Sequence, residues 1–296
     1  MTHRINTNLA QQISKWTAEG GIDLHLHSNC SDGSESPEAT TRMAVESKLR
    51  VFALTDHDSL AGLERVYSTL SLFPEAIRPL FLPGIEISLD FHTSCHTLAY
   101  FPDLASAQQL LPFIDRLCLG RRERNLAVMA KLRRLGFDLK LEDAEAFAQA
   151  KENTGRVHIA QAMLAKGYVD SLEEALRRYL LQGALAYVDR KRLTLAEGID
   201  AIHQAGGVAF MAHPQEYAWS ATEEGLRQGI LEAKSLGLDG VECFHGEARP
   251  EEQQMIYQVT RELGLEFSAG SDWHGSNTKR PHYTGASKFS VKLYLA

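Results

Sequence analysis

Short apolar runs alternate with amphipathic stretches along most of this 296-residue chain. Seven runs, at 22–27, 51–57, 81–87, 96–100, 207–213, 240–244 and 266–272, have the length and residue types of strands. Between most of them, apolar positions recur at helical spacing, at about 37–49, 59–72, 194–205, 223–236 and 250–263. A further amphipathic stretch covers 1–20 and ends at Gly20-Gly21. Several helix starts carry capping residues: Ser36 before Pro37, Thr194 with Glu197 three positions on, and Thr222 before two glutamates. Such alternation predicts a mostly parallel sheet, open or closed. It breaks between 102 and 192, where the patterns at about 104–118, 120–135, 142–150, 157–167 and 171–182 are all helical. This stretch reads as a helical insertion between two strands of the sheet.

The polar residues at the strand ends change the picture. The first strand reads Asp23-Leu24-His25-Leu26-His27. Side chains alternate along a strand, so Asp23, His25 and His27 share one face. Two imidazoles so placed make half a metal site. The other strand ends repeat the theme. They bring Asp32, Thr55-Asp56-His57-Asp58, Gly84-Ile85-Glu86, His96 at the start of the fourth strand, Ala212-His213-Pro214, Glu242, and Gly270-Ser271-Asp272-Trp273-His274. In a closed barrel these ends share one rim, where active sites of such folds lie. A mixed imidazole and carboxylate set suits Mn²⁺, Fe²⁺ or Zn²⁺ better than Mg²⁺ or Ca²⁺.

Composition narrows the class. Hydrophobic residues at 44% and charged residues at 23% are those of a globular protein. No apolar run approaches the ~18 residues of a membrane helix, and residues 1–16 lack a signal-peptide core. The four cysteines (Cys30, Cys95, Cys118, Cys243) form no CxxC pair and read as reduced thiols of a cytoplasmic protein. The net charge of −7 argues against a general nucleic-acid binder. It is unevenly spread: 102–192 carries a net +4 and the remainder −11. An acidic remainder suits a metal site, and a basic insert suits phosphate contacts, although solvated helices also carry Lys and Arg. No P-loop, GxGxxG or GxSxG pattern is present. Cys30 lies near the rim, but the histidines beside it are better read as ligands.

Taken together, the motifs resemble the PHP (polymerase and histidinol phosphatase) family of metal-dependent phosphoesterases. The carriers are Asp23-Leu-His-Leu-His27 with Asp32-Gly33, Thr55-Asp-His-Asp58, Ala212-His-Pro214 and Gly270-Ser-Asp272 with His274. The chain is most similar to the branch whose helical insertion bears a Gly-Arg-x-His motif, here Gly155-Arg156-Val157-His158. The likeness spans about 22–290. It implies a distorted (β/α)7 barrel, an α/β fold, made of 1–101 and 193–296, with 102–192 as an all-helical insertion domain. It also implies three divalent ions, Mn²⁺ first, with Fe²⁺ or Zn²⁺ as alternatives. The first would take His25, His27, Glu86 and Asp272. The second would take Asp32, His57 and His274. The third would share Glu86 and add His96 and His213. His92 is the alternative to His96, which is preferred because it opens the strand-like 96–100. Asp23, Asp56 and Asp58 read as carboxylates that orient ligand imidazoles, with a helix cap an equal reading for Asp58. Glu242 is either such a carboxylate or a substrate contact, Trp273 either packs or stacks on a base, and His245 matches no family position.

The branch implies hydrolysis of phosphate from nucleoside 3′,5′-bisphosphates or short 5′-phosphorylated RNA. Arg156 would grip a phosphate through its planar fork. His158 would hold a second oxygen or protonate the leaving group. Arg121, Arg122 and Arg124 would extend a phosphate track or simply face solvent. A histidinol-phosphate-type phosphomonoesterase and a non-catalytic PHP regulatory module are the competing readings. The helical insertion counts against the first, and the lack of a polymerase-sized region counts against the second. The sequence does not fix the oligomeric state.

Overall fold

The computed structural model describes residues 2–148, 151, 154–189 and 192–276, with the backbone alone for 2–7 and for Thr93. The end of the helix predicted at 142–150 and residues 277–290 of the family-like span lie outside the described residues. The chain forms two compact units, Met1–Phe113 with Leu193–Ala296, and Ile114–Arg192.

The first unit holds seven strands among the described residues: β1 (Ile22–Asp23), β2 (Val51–Leu54), β3 (Leu80–Phe91), β4 (Thr93–Tyr100), β5 (Val208–Met211), β6 (Gly240–His245) and β7 (Glu266–Gly270). They lie in one sheet in chain order. The sheet closes on itself beyond the short β1. Leu24 N–H donates to Ala269 O, His27 N–H donates to Trp273 O, and Leu26 forms a parallel bridge with Trp273. Gly270 permits that closure, because any Cβ there would meet the Cβ of His25. β2, β5 and β6 are buried along their whole length, as expected of strands covered on both faces.

The helices of this unit are α1 (Thr2–Glu19), α2 (Pro37–Glu46), α3 (Leu63–Leu70), α4 (Leu104–Gln108), α9 (Leu195–Gln204), α10 (Glu223–Ser235) and α11 (Pro250–Glu262). α1 packs on β7, α9 on β3 and β5, and α11 on β6. The predicted caps are made: Ser36 accepts from Ala39 N–H, Thr194 and Glu197 form a reciprocal box, and Thr222 accepts from Gly225 N–H. The result is a distorted (β/α)7 barrel.

The alternation predicts a mostly parallel sheet, and one strand departs from it. β4 runs antiparallel to both β3 and β5, while the other adjacent pairs run parallel. The apolar alternation of β3 continues past 87 to Phe91, and a turn at His92, with φ of 57°, reverses the chain. Two predicted strands therefore form one long hairpin with no helix between them. The reversal matters for the rim. It brings the start of β4, not its end, beside the end of β3, with His96 opposite Ser88.

The second unit is helical. α5 (Leu111–Arg134) begins just before it and runs unbroken where two helices were predicted, because Gly120 is tolerated mid-helix. It is followed by α6 (Leu141–Glu145), α7 (Arg156–Ala165), α8 (Leu172–Ala175) and a π-helical turn at Leu176–Leu180. Met129, Leu132, Leu139, Ile159, Met163 and Leu180 form its buried core.

Candidate metal centre

Glu86 stands at the middle of the rim, on β3, with its side chain fully buried. Among the described residues, five imidazole nitrogens surround its two oxygens. His25 Nε2 (3.2 Å), His27 Nε2 (3.2 Å) and His57 Nδ1 (3.0 Å) face Oε2. His96 Nδ1 (3.0 Å) and His213 Nε2 (2.9 Å) face Oε1. Asp272 Oδ1 lies 3.3 Å from His25 Nε2 and 3.1 Å from His27 Nε2. Asp32 lies 3.7 Å from His27 Nδ1, 3.7 Å from His57 Nε2 and 3.4 Å from His274 Nε2. His96 Nδ1 and His213 Nε2 are 3.3 Å apart. All nine residues singled out in the sequence thus meet in the first unit. His92 does not join them: it pairs with Glu232 of α10 at 3.0 Å.

The donor atoms fit divalent cations. His25, His27, Glu86 and Asp272 each offer one ligand atom within 4.8 Å of the others. So do His27, Asp32, His57 and His274, and so do His57, Glu86 and His96. His27 Nδ1 and Nε2, His57 Nδ1 and His213 Nδ1 are buried yet make no hydrogen bond, although carboxylates lie close to most of them. Buried polar atoms left without hydrogen-bond geometry are expensive. A ring nitrogen without a hydrogen bond can give its lone pair to a cation instead.

The electrostatics agree. Burial alone would raise the Glu86 pKa, yet the charges of His57, His25 and His96 hold it well below the usual carboxylate range. Burial opposes ionisation of Asp272 too, but His25, His245 and His27 keep its pKa far down. Burial lowers His57 to about 4, against the pull of Glu86 and Asp32. His27 goes the other way, to about 10, because Asp272 and Glu86 outweigh its burial. The site therefore favours ionised carboxylates and added positive charge.

Several supporting groups are now defined. Glu242 Oε1 is 2.9 Å from His25 Nδ1, and its Oε2 accepts from His213 N–H at 2.9 Å. It fixes the His25 ring with Nε2 toward Glu86, the carboxylate–imidazole pairing found behind metal ligands. Asp23 accepts from the backbone N–H of His25 and Ser271, Asp56 from Ser28 N–H and the Ser28 and Ser31 hydroxyls, and Asp58 from Ser88 N–H. These contacts secure the rim loops. Burial raises the Cys30 thiol pKa, which makes it a poor nucleophile.

Three rim residues have left-handed backbone: Asp58 (φ 50°), His213 (φ 27°) and Asp272 (φ 53°). Such conformations cost about 1–3 kcal/mol each outside glycine. Each is tied down through its N–H, Asp58 to Glu86 O, Asp272 to His25 O and His213 to Glu242 Oε2. Fixing these residues sets where their side chains point.

His245 is the residue that sequence reasoning missed. It is fully buried and groups with His25 and Glu242. Residues three apart on a regular strand face opposite sides. Here β6 has one extra residue, Cys243, between Glu242 and Phe244 relative to β7. That bulge turns Glu242 and His245 toward the same site. No periodicity in the sequence signals it.

Arg156 and His158 sit in the first turn of α7, in the second unit. The Arg156 guanidinium lies over the Tyr187 ring at 5.1 Å and donates to Val188 O. His158 Nδ1 accepts from Gly155 N–H at 3.0 Å, so the neutral ring carries its proton on Nε2.

A seven-stranded barrel whose rim gathers imidazoles and carboxylates around one buried glutamate defines a metal-dependent hydrolase. Residues 23–188 match the PHP domain, more than half of the chain, and the protein belongs to the PHP family. Among known proteins, it is 30% identical to a 5′-3′ exoribonuclease of Haemophilus influenzae over 253 residues, 85% of this chain and 89% of that one. It is also 30% identical to the 3′,5′-nucleoside bisphosphate phosphatase of Chromobacterium violaceum over 256 residues, 86% of this chain and 87% of that one. Among solved structures, it resembles one described as an amidohydrolase from Chromobacterium violaceum with bound sulfate. The TM-score is 0.74 and the identity 27%, covering 91% and 93% of the two chains.

Proposed function

We propose that this protein hydrolyses phosphate esters of nucleoside 3′,5′-bisphosphates and of short 5′-phosphorylated RNA at a centre of three divalent ions, in the cytoplasm. One observation carries the reading: five imidazole nitrogens crowd the two oxygens of a single buried carboxylate, Glu86. His25, His27, Glu86 and Asp272 would hold the first ion. Asp32, His57 and His274 would hold the second, and Glu86, His96 and His213 the third. The donor chemistry favours Mn²⁺, with Fe²⁺ or Zn²⁺ as alternatives. When bound, such ions supply positive charge that draws phosphoryl oxygens and makes water more acidic.

The protein's own groups do the rest. Glu242 holds His25 in the tautomer that presents Nε2. Arg156 offers a planar, permanently charged fork suited to a phosphate. His158, with Nδ1 engaged by Gly155, offers Nε2–H as a donor to a phosphate oxygen or to the leaving group. The substrate class is supported by the exoribonuclease and bisphosphate phosphatase among the relatives, by the Gly155–His158 motif, and by the net +4 charge of 102–192.

The test is a Mn²⁺-loaded assay with adenosine 3′,5′-bisphosphate, a 5′-phosphorylated oligoribonucleotide and histidinol phosphate in parallel. The reading expects turnover of the first two to exceed that of the third. Preferred turnover of histidinol phosphate would assign the protein to the other branch, and no turnover of any would remove the activity.

A further inference from the structure

His245 has a defined tautomer. Its Nδ1 lies 3.2 Å from Glu247 N–H and 3.0 Å from Gln215 Nε2. A backbone N–H can only donate, so Nδ1 is the acceptor and the neutral ring bears its proton on Nε2. A nitrogen carrying a proton has no lone pair for a metal. That nitrogen is buried and lies 3.4 Å from Asp272 Oδ2. The other Asp272 oxygen, Oδ1, faces His25 and His27. Asp272 is thus flanked on both sides, while its left-handed backbone is pinned through its N–H to His25 O.

We propose that His245 is a positioning residue for Asp272: its Nε2–H attracts Oδ2, which leaves Oδ1 as the single oxygen presented beside His25, His27 and Glu86. Both parts of the device come from the β6 bulge. It sets Glu242 against His25 and His245 against Asp272, so that one irregular strand orients two of the four residues assigned to the first ion. The inference rests on the reading of those four residues as a metal site.

The test is Mn²⁺ affinity, measured by calorimetry on chelator-stripped full-length protein, with bound metal per chain measured separately. A glutamine amide reaches roughly where Nε2 stands, an asparagine amide only where Nδ1 stands, and phenylalanine keeps the volume without a donor. His245→Phe and His245→Asn should weaken Mn²⁺ binding about 10–100-fold, the usual effect of losing a group behind a ligand. His245→Gln should stay within a few-fold of wild type. In an Asp272→Asn background, His245→Asn should add no further loss, because the residue acts through Asp272. A purely structural role would give equal losses for Gln and Asn, and that result overturns the inference, as does wild-type affinity in His245→Asn. Failure of the wild-type protein itself to bind Mn²⁺ overturns the underlying metal-site reading as well, so the two failures are distinguishable.

Discussion

At the scale of single residues, Glu86 explains the density of histidine at this rim. A buried carboxylate survives only if its charge is compensated, and here the compensation comes from imidazoles, which are equally suited to share a cation. His25→Ala or Asp272→Ala should therefore abolish turnover, since each removes a donor of the first ion; near-wild-type activity in purified, metal-loaded variants would exclude the assignment. Glu242→Gln should lower metal affinity or activity by about 10–100-fold, because the amide can no longer hold His25 as an ionised acceptor does; titration of the stripped variant with Mn²⁺ reads this directly. Arg156→Ala should raise KM more for substrates with a second phosphate than for simple monoesters, and equal losses on both would take Arg156 out of substrate selection.

The residues that gather at the rim were legible because each lies at or just past a strand end or at the start of the reversed β4, and the resemblance to the PHP family implied nine of them as metal donors. The role of Glu242 could not, because it depends on contact with His25, 217 positions away. His245 was hidden by a bulge that breaks the period on which the reading relied. His96 is preferred over His92 in the sequence because 96–100 reads as a strand; in the structure His92 lies against Glu232 and His96 against Glu86.

At the scale of elements, the reversed β4 shows why a site may need more than one strand direction. A parallel strand presents its C-terminal end to the rim, and β4 delivers His96 there only because it runs the other way. The sequence showed two strands with no helix between them, which was the available sign of a hairpin. Elsewhere, element placement depends on specific polar contacts. His203 on α9 lies 2.7 Å from Asp239, which also accepts from Ala209 N–H of β5. The bond to Asp239 raises the His203 pKa above its ordinary 6.5, with burial opposing. A raised folded-state value means that the stabilisation is complete below the unfolded pKa and is lost as pH rises through the folded one. His203→Gln should therefore lower the thermal midpoint most near about pH 5.5, and the gap to wild type should narrow by about pH 9.5. A constant gap across that range would mean that packing, not charge, anchors α9.

At the scale of the whole molecule, the barrel unit holds the buried imidazoles and carboxylates, and the basic helical unit bears Arg156 and His158. No helix among the described residues is long and apolar enough to cross a membrane. A folded rim that gathers so many donors binds cations better than the unfolded chain does, so metal should stabilise the fold. Mn²⁺ at about 100 times its Kd would add about 2.7 kcal/mol for one site. Chelation should accordingly lower the melting temperature, and Mn²⁺ should restore it.

The most direct test of the account is anomalous diffraction from crystals soaked with Mn²⁺. It predicts three peaks, bounded by His25, His27, Glu86 and Asp272, by Asp32, His57 and His274, and by Glu86, His96 and His213. A well-ordered rim with no peak among these side chains at saturating Mn²⁺ would contradict it.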